Sequence, residues 1–374
     1  MLALRGVRVL IDYRPALRQR TGVGEYAHRL AAALVSRLGP GAVLLFSSSW
    51  KDRLGHRVEG AVPVDRRIPV RLLNACWHRL NWPPVETLAG RLDVVHAMHP
   101  LIIPARDAAQ VITIHDLYFL DHPEHTRAEI RRDYAALAPS HARRAHGVIA
   151  VSEYTAGQVR GRLGVPSERI TICPPGAPAW PRRAGGRANG PILFVGTLER
   201  RKNVATLLEA YERLAHRRPG APALILAGRQ GADAAPLLDR LKTPGLSGRV
   251  RHVGYVSDED RERLYRDASL LVLPSFDEGF GMPALEAMTV GVPVVAANRG
   301  AIPEVVGEAG VLVDPHDPEG LALAMERVLT DADLARTLSD RGVERAGRFS
   351  WEASAASLVD AYRGAMERRL AHRE

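Results

Sequence analysis

Short apolar runs alternate with longer amphipathic stretches along almost the whole chain. In the first half the apolar runs are VRVLID, AVLLFS, DVVHAM, QVITIHD, GVIAVS and ITICPPG, and in the second half they are ILFVGTL, ALILAG, VRHVGYV, LLVLPS, VPVVAA and GVLVDP. Val, Ile and Leu dominate these runs, which is typical of parallel strands that are buried on both faces. Segments between them, such as GEYAHRLAAALVSRL and NVATLLEAYERLAHR, have helical periodicity. The pattern predicts two arrays of alternating strands and helices.

A stretch rich in Pro, Gly and Arg separates the two arrays. It has the sequence PPGAPAWPRRAGGRANGP at about residues 174–191, and this composition predicts a linker. A chain of 374 residues is long enough for two domains. We therefore predict an α/β protein with two doubly wound, Rossmann-like domains that face each other across a cleft, residues 1–180 and 181–354.

Composition and charge narrow the range of partners. No apolar run approaches the roughly 18 residues that span a bilayer. Cys76 and Cys173 lie far apart without metal-ligand spacing, which favours a cytoplasmic protein. The net charge of +9 is uneven, with +11 in residues 1–183 and −2 in residues 184–374. The basic half suits an anionic membrane or a phosphorylated acceptor, although an ordinary solvated surface explains it equally well. No nucleic-acid-binding motif is present, so nucleic acid is not an expected partner.

The stretch FDEGFGMPALEAMTVGVPVVA follows the predicted strand LLVLPS and contains two acidic residues, Glu278 and Glu286. Gly279 and Gly281 allow the backbone to turn tightly and to approach a ligand. The helix that begins near Pro283 presents backbone N–H groups to phosphate or hydroxyl oxygens, and carboxylates accept hydrogen bonds from sugar hydroxyls. Because such sheets bind ligands beyond the carboxyl ends of their strands, the pattern favours a ligand with both phosphate and polyol groups. An acidic residue near a helix start is also favourable without a ligand.

A second strand end has the sequence ILFVGTLERRKNVATLL. Gly196 follows the strand, and Arg201 and Lys202 precede a helix that Asn203 is predicted to cap. Two cations at a helix start oppose the helix dipole, so we interpret them as partners of an anion, for which a diphosphate is the natural candidate. A solvated basic loop is the alternative interpretation.

The first half offers weaker signals. TGVGEY places Gly22 and Gly24 at the start of a helix, but it does not complete the dinucleotide fingerprint, which argues against an NAD-dependent oxidoreductase. His115 follows a strand and either binds a sugar hydroxyl, orients an acceptor or holds a turn. His96 and His99 have no third ligand at metal spacing, so we interpret them as structural or cleft-lining and predict no metal site.

Together these motifs resemble a known family. EGFGMPALE is similar to the E-x7-E motif of retaining, nucleotide-sugar-dependent glycosyltransferases with the GT-B fold, in family four of the sequence classification. VGTLERRKN, TGVGEY, TIHD, AVSEYT and GAIPEVVG occur in the order of that family, and the resemblance covers nearly the whole chain. The E-x7-E block is highly specific to the family, whereas the glycine loop is not.

The resemblance implies a role for each matching residue. It implies four catalytic residues, which are Arg201, Lys202, Glu278 and His115. It implies donor binding through Gly22, Gly24, Gly196, Val256, Phe280, Gly281, Met282, Leu285 and Glu286. Within these sets, Glu286 would hold the nucleotide ribose, Glu278 the donor sugar, and the two cations the diphosphate.

The resemblance also implies how the domains divide the work. The first domain would bind the acceptor, the second would bind the nucleotide sugar, and a last helix of about residues 355–374 would cross back to the first domain. One departure concerns Thr197, which stands where many relatives have Arg. Arg201 would compensate for the missing cation, and the division of labour between Arg200 and Arg201 is open.

The implied reaction is transfer of a hexosyl group from a GDP- or UDP-sugar to a hydroxyl of a sugar, lipid-linked or small-molecule acceptor, with retention of configuration. Our specific prediction is mannosyl transfer from GDP-mannose in glycan, glycolipid or glycoconjugate biosynthesis. We expect no cofactor besides the nucleotide sugar as co-substrate, metal-independent chemistry, and a cytoplasmic location, with peripheral attachment to the inner membrane face left open. The alternatives are a sugar-nucleotide epimerase or hydrolase on the same fold and a non-catalytic GT-B binding protein.

Overall fold

The computed structural model describes residues 6–17, 20, 22–55, 57–126, 130–186, 189–232 and 234–371. The chain divides into two compact units. The first unit consists of Met1–Gly176 and Ser350–Glu374, and the second of Ala177–Phe349. Each unit has its own parallel sheet and its own apolar core, which is the organisation expected of separate α/β domains.

Seven parallel strands form the sheet of the first unit, in the order β3-β2-β1-β4-β5-β6-β7. They are β1 (Val9–Asp12), β2 (Val43–Ser47), β3 (Val62–Asp65), β4 (Val94–Ala97), β5 (Ala109–Ile114), β6 (Gly147–Ala150) and β7 (Ile170–Ile172). Strands β1, β2, β4 and β6 are buried at every position. This burial explains their continuous apolar sequences, because helices cover both faces of a parallel sheet.

Six α-helices precede the second unit within the described residues. They are α1 (Gly22–Leu38), α2 (Val70–Leu80), α3 (Glu86–Ala89), α4 (Tyr118–Asp121), α5 (Ala135–Arg144) and α6 (Glu153–Leu163). A π-helical turn, Ile130–Tyr134, leads into α5. Helix α6 begins after Ser152, whose side chain accepts a hydrogen bond from the Thr155 N–H, and ends at Gly164 in the left-handed conformation.

The sheet of the second unit has six parallel strands in the order β10-β9-β8-β11-β12-β13. They are β8 (Ile192–Val195), β9 (Leu224–Ala227), β10 (Val250–Gly254), β11 (Leu270–Leu273), β12 (Val294–Ala297) and β13 (Gly310–Val313). The helices of this unit are α7 (Val204–Arg217), α8 (Ala234–Arg240), α9 (Asp258–Asp267), α10 (Met282–Val290), α11 (Ile302–Val306), α12 (Pro318–Thr330) and α13 (Ala332–Ala346).

The last helix, α14 (Trp351–Ala371), belongs to the first unit. It packs on α1 and against β5, β6 and β7. The Tyr362 hydroxyl lies 2.7 Å from Nδ1 of the fully buried His96, whose Nε2 lies 2.7 Å from the Thr113 hydroxyl. His96 is therefore a structural link between this helix and the sheet, and its burial lowers its pKa to about 3. The predicted return of the final helix to the first domain is confirmed.

All twelve strands predicted from apolar runs are present. Strand β3 was not predicted, because it contains Pro63 and only Val64 of its four residues is buried. Helix α9 is capped by Ser257, whose hydroxyl accepts a hydrogen bond from the Asp260 N–H. No helix in the described part of the chain combines the length and the apolarity needed to cross a membrane.

The predicted cap of α7 is wrong. Asn203 occupies the N-cap position in the left-handed conformation, with φ +54°, but its side chain makes no capping hydrogen bond. Its Nδ2 donates instead to the carbonyls of Pro274 (3.0 Å) and Pro315 (2.8 Å). Asn203 is buried, so these contacts satisfy polar groups that would otherwise lack partners beyond the ends of two strands.

Candidate functional site

The order of strands in the second sheet singles out one place on its carboxyl edge. Strands β8 and β11 are neighbours at the centre of this sheet. After β8 the chain continues to β9 on one side, and after β11 it continues to β12 on the other side, so the two connections run in opposite directions. Loops after such strands diverge and leave a crevice between them, where doubly wound proteins bind ligands. The segments that follow β8 and β11 contain Arg201, Lys202 and Glu278.

Glu278 lies at the centre of a charged cluster at this edge. Lys202 Nζ is 2.5 Å from Glu278 Oε1, the Ser275 hydroxyl donates to the same oxygen at 2.8 Å, and Arg201 Nη1 is 3.4 Å from Oε2. Burial opposes the ionised form of Glu278, but the charges of Lys202 and Arg201 outweigh it, and the pKa of this carboxyl lies below its ordinary value. The cluster is a carboxylate held ionised by two cations and a hydroxyl.

The backbone also fixes the Glu278 loop. The Glu278 carbonyl accepts a hydrogen bond from the Ala301 N–H at 2.9 Å. Gly300 has φ +62°, and a Cβ there would lie 2.7 Å from the Glu278 carbonyl oxygen. Only glycine fits this close approach and this conformation without strain, so the motif RGAIPE after β12 holds the acidic loop in position.

Arg200 and Arg201, whose division of labour the sequence left open, have different surroundings in the structure. Arg200 is exposed. Arg201 donates from Nη1 to the Asp277 carbonyl at 3.3 Å and pairs through Nη2 with Glu199 at 2.9 Å, in addition to its contact with Glu278. Arg201 is therefore the arginine that lies in the charged cluster.

These contacts change the interpretation of the two cations. Arg201 and Lys202 are matched within the protein by Glu199 and Glu278. Their presence at this loop is thus not by itself evidence for an external anion. A bound diphosphate would share the cations with Glu278, and the side chain of Lys202, only 10% exposed, is held in position by that pairing.

Helix α10 follows the cluster and begins as its sequence predicts. Gly281 precedes it with φ +102°, Pro283 lies in the first turn, and Gly291 ends it with φ +80°. Glu286 lies in the second turn and is buried, and Leu285 beside it is part of the core.

At the start of this helix, the side chains of the residues around Gly281 are packed or absent. The Phe280 ring packs edge-to-face on Phe349, with ring centroids 5.5 Å apart. Gly281 is buried and Met282 is half-buried. The backbone of these residues, rather than the Phe280 ring, is what the loop offers to a ligand.

Glu286 contacts a different set of residues from Glu278. Arg261 Nε on α9 lies 3.5 Å from Glu286 Oε1. Burial, and then the adjacent charge of Glu286, raise the pKa of Tyr265 well above its ordinary value. Sequence analysis did not single out Arg261, Tyr265 or Ser275, because each falls within an ordinary helical or strand-end pattern.

The loops after β8, β9 and β10 are closely packed. A Cβ at Gly228 would lie 1.9 Å from the Gly196 carbonyl oxygen, so only glycine allows the backbone after β9 to pass the backbone after β8. The Gly228 N–H in turn donates to the Gly254 carbonyl at 2.8 Å. Val256 is half-buried in the loop between β10 and α9.

In the first unit, Gly24 has a clear packing role. A Cβ at this position would lie 2.5 Å from the Pro15 carbonyl oxygen, so glycine allows α1 to approach the turn Arg14–Ala16. Gly22 is the exposed first residue of α1. His115 follows β5 and packs edge-to-face on Tyr26, with ring centroids 5.1 Å apart.

The His115 ring is held neutral. Its burial lowers its pKa to about 4. Its Nε2 is buried and has no hydrogen-bond partner within the described residues. A neutral imidazole with an available nitrogen suits a hydroxyl partner better than a phosphate.

A charged group that sequence analysis missed lies at the carboxyl edge of the first sheet. Asp12 ends β1 and is fully buried, and it accepts hydrogen bonds from Arg14 Nε (2.8 Å) and Nη2 (2.7 Å). His99 Nε2 lies 3.1 Å from Asp12 Oδ2. The acidic residue that ends VLID was the available signal, because the order of strands diverges between β1 and β4.

Within the described residues, no group of three or more His, Cys, Asp or Glu side chains is placed to hold a metal ion. The structure brings Arg201, Lys202 and Glu278 into one cluster and gives Glu286 separate partners on α9. Binding of a donor by these residues stays a prediction.

Comparison with known proteins identifies the family. The model described as Glycosyltransferase Family 4 matches residues 20–179, and that described as Glycosyl transferases group 1 matches residues 189–345. The O-antigen chain mannosyltransferase B of Escherichia coli is 34% identical over 392 positions, which cover 96% of this chain and 100% of that protein. The chain belongs to the GT-B glycosyltransferases of family 4.

Solved structures support the fold of this glycosyltransferase. A sucrose-phosphate synthase from Thermosynechococcus elongatus has a TM-score of 0.78 at 23% sequence identity, and the match covers 96% of this chain and 98% of that chain. Anabaena HepE in complex with UDP and glucose has a TM-score of 0.70 at 20% identity, with coverage of 94% and 98%. At these identities the similarity concerns the fold and not the donor.

Proposed function

We propose that this glycosyltransferase moves a mannosyl group from GDP-mannose to an acceptor hydroxyl with retention of configuration. The observation that supports transfer chemistry best is the cluster of Lys202, Arg201, Ser275 and Glu278 at the switch point of the second sheet. The mannosyltransferase relative at 34% identity supports the choice of mannose. The second unit is the donor-binding domain and the first unit is the acceptor-binding domain.

The donor is bound by the edge of the second sheet. Glu286 accepts hydrogen bonds from the ribose hydroxyls, and Glu278 accepts them from the hexosyl group. The backbone around Gly281 and the start of α10 receive sugar and phosphate oxygens, and Gly196 permits close approach of the diphosphate. The backbone of Val256 pairs with the base.

The reaction needs stabilisation of the leaving diphosphate. The acceptor oxygen bonds to C1 of the hexosyl group on the face from which the diphosphate departs, and the bond between C1 and the phosphate oxygen breaks. The leaving phosphate oxygen takes the acceptor proton, so no protein nucleophile is required. Arg201 and Lys202 act by shifting from Glu278 toward the negative charge that develops on the diphosphate.

The proposal also gives roles to residues of the first unit. Gly22 and Gly24 allow the start of α1 to approach the donor phosphates. The neutral His115 ring hydrogen-bonds a hydroxyl of the donor sugar through Nε2. No metal ion takes part, and the nucleotide sugar is the only co-substrate besides the acceptor.

The proposed acceptor is lipid-linked or lies near an anionic membrane. An exposed strip on and after α2, which we call the α2 surface, consists of Arg71, Leu72, Arg79, Leu80 and Trp82. Its apolar members Leu72, Leu80 and Trp82 are 58%, 68% and 62% exposed, and the sequence has no acidic residue from position 66 to position 85. Exposed apolar side chains among cations suit the interface of an anionic bilayer. Trp77, in contrast, is buried in the core.

The proposal is tested with purified protein and a panel of GDP- and UDP-sugars. A donor present at 100 times its Kd adds roughly 2.7 kcal/mol to the free energy of unfolding, and we expect GDP-mannose to raise Tm most. With a mannosyl acceptor and EDTA, we expect a new glycosidic bond of retained configuration by NMR. Release of free or epimerised sugar without acceptor indicates a hydrolase or epimerase. Stabilisation by a donor without any product indicates a non-catalytic binding protein, and loss of activity in EDTA contradicts metal independence.

A further inference from the structure

Arg261 is a cation that lies close to Glu286. Its Nε lies 3.5 Å from Glu286 Oε1, and the two side chains are only 12% and 8% exposed. Its Nη2 lies 3.5 Å from Asp258 Oδ1, one turn earlier on α9. Since α9 lies against α10, the guanidinium joins the two helices beside the carboxylate.

A tryptophan near the start of the second unit covers this arginine. Trp180 lies between Ala177, the first residue of the second unit, and strand β8. The Arg261 guanidinium is 5.6 Å from the centre of the Trp180 ring, and the same ring is 5.8 Å from the Tyr265 ring. A cation over an indole face is attracted by the ring and loses freedom of movement.

The backbone around Trp180 is itself fixed to the second unit. Arg266 Nη2 donates to the Pro181 carbonyl at 3.1 Å, and the Arg183 N–H donates to the Val290 carbonyl at 3.2 Å. The Arg183 guanidinium also donates to the Ala268 carbonyl at the end of α9. Trp180 is thus held against α9 from its C-terminal side and is placed to restrain Arg261.

We propose that Arg261 and Trp180 are positioning residues of the donor site, which act by holding Glu286 ionised and oriented for the ribose hydroxyls. The inference rests on the proposed role of Glu286 in donor binding. Ribose hydroxyls donate, and only an ionised carboxylate offers acceptors alone. A nearby guanidinium favours that ionised form against the effect of burial, and the indole limits the positions that the guanidinium adopts.

The experiment measures dissociation constants of GDP and UDP by calorimetry, and kcat and KM for the active donor. Arg261→Met is expected to weaken binding of the better nucleotide about ten-fold, the size of one charge-assisted hydrogen bond between a ribose hydroxyl and Glu286. KM is expected to rise more than kcat falls, because Glu286 lies away from the bond that breaks. Arg261→Lys should restore most of the affinity, and Trp180→Ala should weaken binding about three-fold, the effect of one lost cation–π contact.

Two controls test whether the loss of affinity is specific to Arg261 and to its contact with Glu286. Arg263→Met removes an exposed arginine of the same helix and should leave binding unchanged. In the double variant Arg261→Met with Glu286→Gln, affinity should be no lower than in Glu286→Gln alone, because Arg261 acts through Glu286.

The outcomes distinguish failure of the inference from failure of the proposed function. If the wild type binds neither nucleotide, the proposed function is wrong. If Glu286→Gln binds both nucleotides as the wild type does, Glu286 is not in the donor site, and its proposed contact with the ribose is wrong. If Glu286→Gln weakens binding but Arg261→Met only lowers Tm, the ion pair is structural and the inference is wrong. If Arg261→Met does not fold, Trp180→Ala decides, and wild-type affinity in that variant overturns the inference.

Discussion

Each sheet has a buried carboxylate paired with a cation at the point where its strand order diverges, but the two pairs differ in how the cation is bound. In the first sheet, Asp12 is fully buried and is bound by two nitrogens of Arg14, whose third donates to Asn74 at 2.8 Å. The same guanidinium lies 5.3 Å from the centre of the Trp77 ring. In the second sheet, Lys202 donates to Glu278 alone among the described residues, and Arg201 is 18% exposed.

The difference lies in how easily each cation changes partner. The planar fork of Arg14 is matched by fixed acceptors and stacked on an aromatic ring, so a ligand would have to break several contacts at once. The ammonium of Lys202 is a compact charge with three rotatable donors on a flexible stem. The same topology therefore gives a structural ion pair in the first sheet and a cluster suited to exchange partners in the second.

The largest effect is expected at the structural pair. Asp12→Asn leaves the Arg14 charge without its counterion in a buried place, which should lower the free energy of unfolding by about 3–5 kcal/mol. Urea denaturation measures this loss, and affinity for the donor should be unchanged in the folded protein. An Asp12→Asn variant as stable as the wild type would contradict the structural role of the ion pair in the first sheet.

The same pair predicts a dependence of stability on pH. Burial raises the pKa of Asp12, but Arg14 and then His99 outweigh it, and the pKa lies well below its ordinary value. A depressed pKa in the folded state stabilises the fold above the ordinary pKa, near 4, and this contribution is lost as the pH falls below it. In Asp12→Asn, the loss of stability between pH 5 and pH 2 should be smaller than in the wild type.

The next effect concerns the exchangeable cation. Lys202→Ala should lower kcat about 10²–10³-fold, the usual cost of one lost group that stabilises developing negative charge, and should change KM less. Lys242→Ala, at an exposed lysine of the same unit, is the matched control. A change confined to KM would show that Lys202 contributes only to binding of the ground state.

A smaller effect is expected at the second carboxylate of this edge. Glu286→Ala should weaken donor binding by about 1.5–3 kcal/mol, the range for hydrogen bonds to a charged group. Calorimetry measures the change, and Glu209→Ala, at an exposed glutamate of α7, serves as the control. Donor affinity equal to that of the wild type would remove Glu286 from the donor site.

The smallest effect per residue concerns surface charge in the first unit. Near an anionic bilayer each basic residue contributes about 1 kcal/mol, so wild-type protein should bind anionic vesicles at low salt and dissociate at high salt. The segment RAEIRRDYAALAPSHARRAHG carries the basic residues Arg131, Arg132, Arg143 and Arg144, of which Arg132 is paired with Asp133 at 2.7 Å. Arg127 of the same segment lies outside the described residues.

Two variants in a flotation assay decide between the surfaces. One changes Arg131, Arg132, Arg143 and Arg144 to Glu, and the other changes Arg71 and Arg79 of the α2 surface to Glu. If only the variant at Arg71 and Arg79 loses binding, the α2 surface attaches the protein to the vesicles. If only the variant at Arg131, Arg132, Arg143 and Arg144 loses binding, the segment that contains those four residues does so. Wild-type protein that does not bind the vesicles at low salt favours a soluble acceptor.

Much of the fold could be predicted because its signals are local. Continuous apolar runs indicate strands that are buried on both faces, and Gly281, Pro283 and Gly291 mark the bounds of α10. Strand β3 was missed because an edge strand with exposed positions has no continuous apolar run. The cap at Asn203 was wrong because its Nδ2 donates to two carbonyls that are distant in sequence, and its Oδ1 accepts from the Thr206 hydroxyl and not from a backbone N–H.

The sequence by itself determined the two α/β arrays, the segment between them and the strand ends at which Arg201, Lys202, Glu278 and Glu286 lie. These features depend on periodicity and on the conformational limits of Gly and Pro, which act over a few residues. Only the tertiary structure decided that Lys202 and Glu278, 76 positions apart, form one ion pair, that Arg261 faces Glu286, and that Asp12 is bound by Arg14. A charged residue looks the same in the sequence whether it is solvated or paired, because its partner is set by which loops the order of strands brings together.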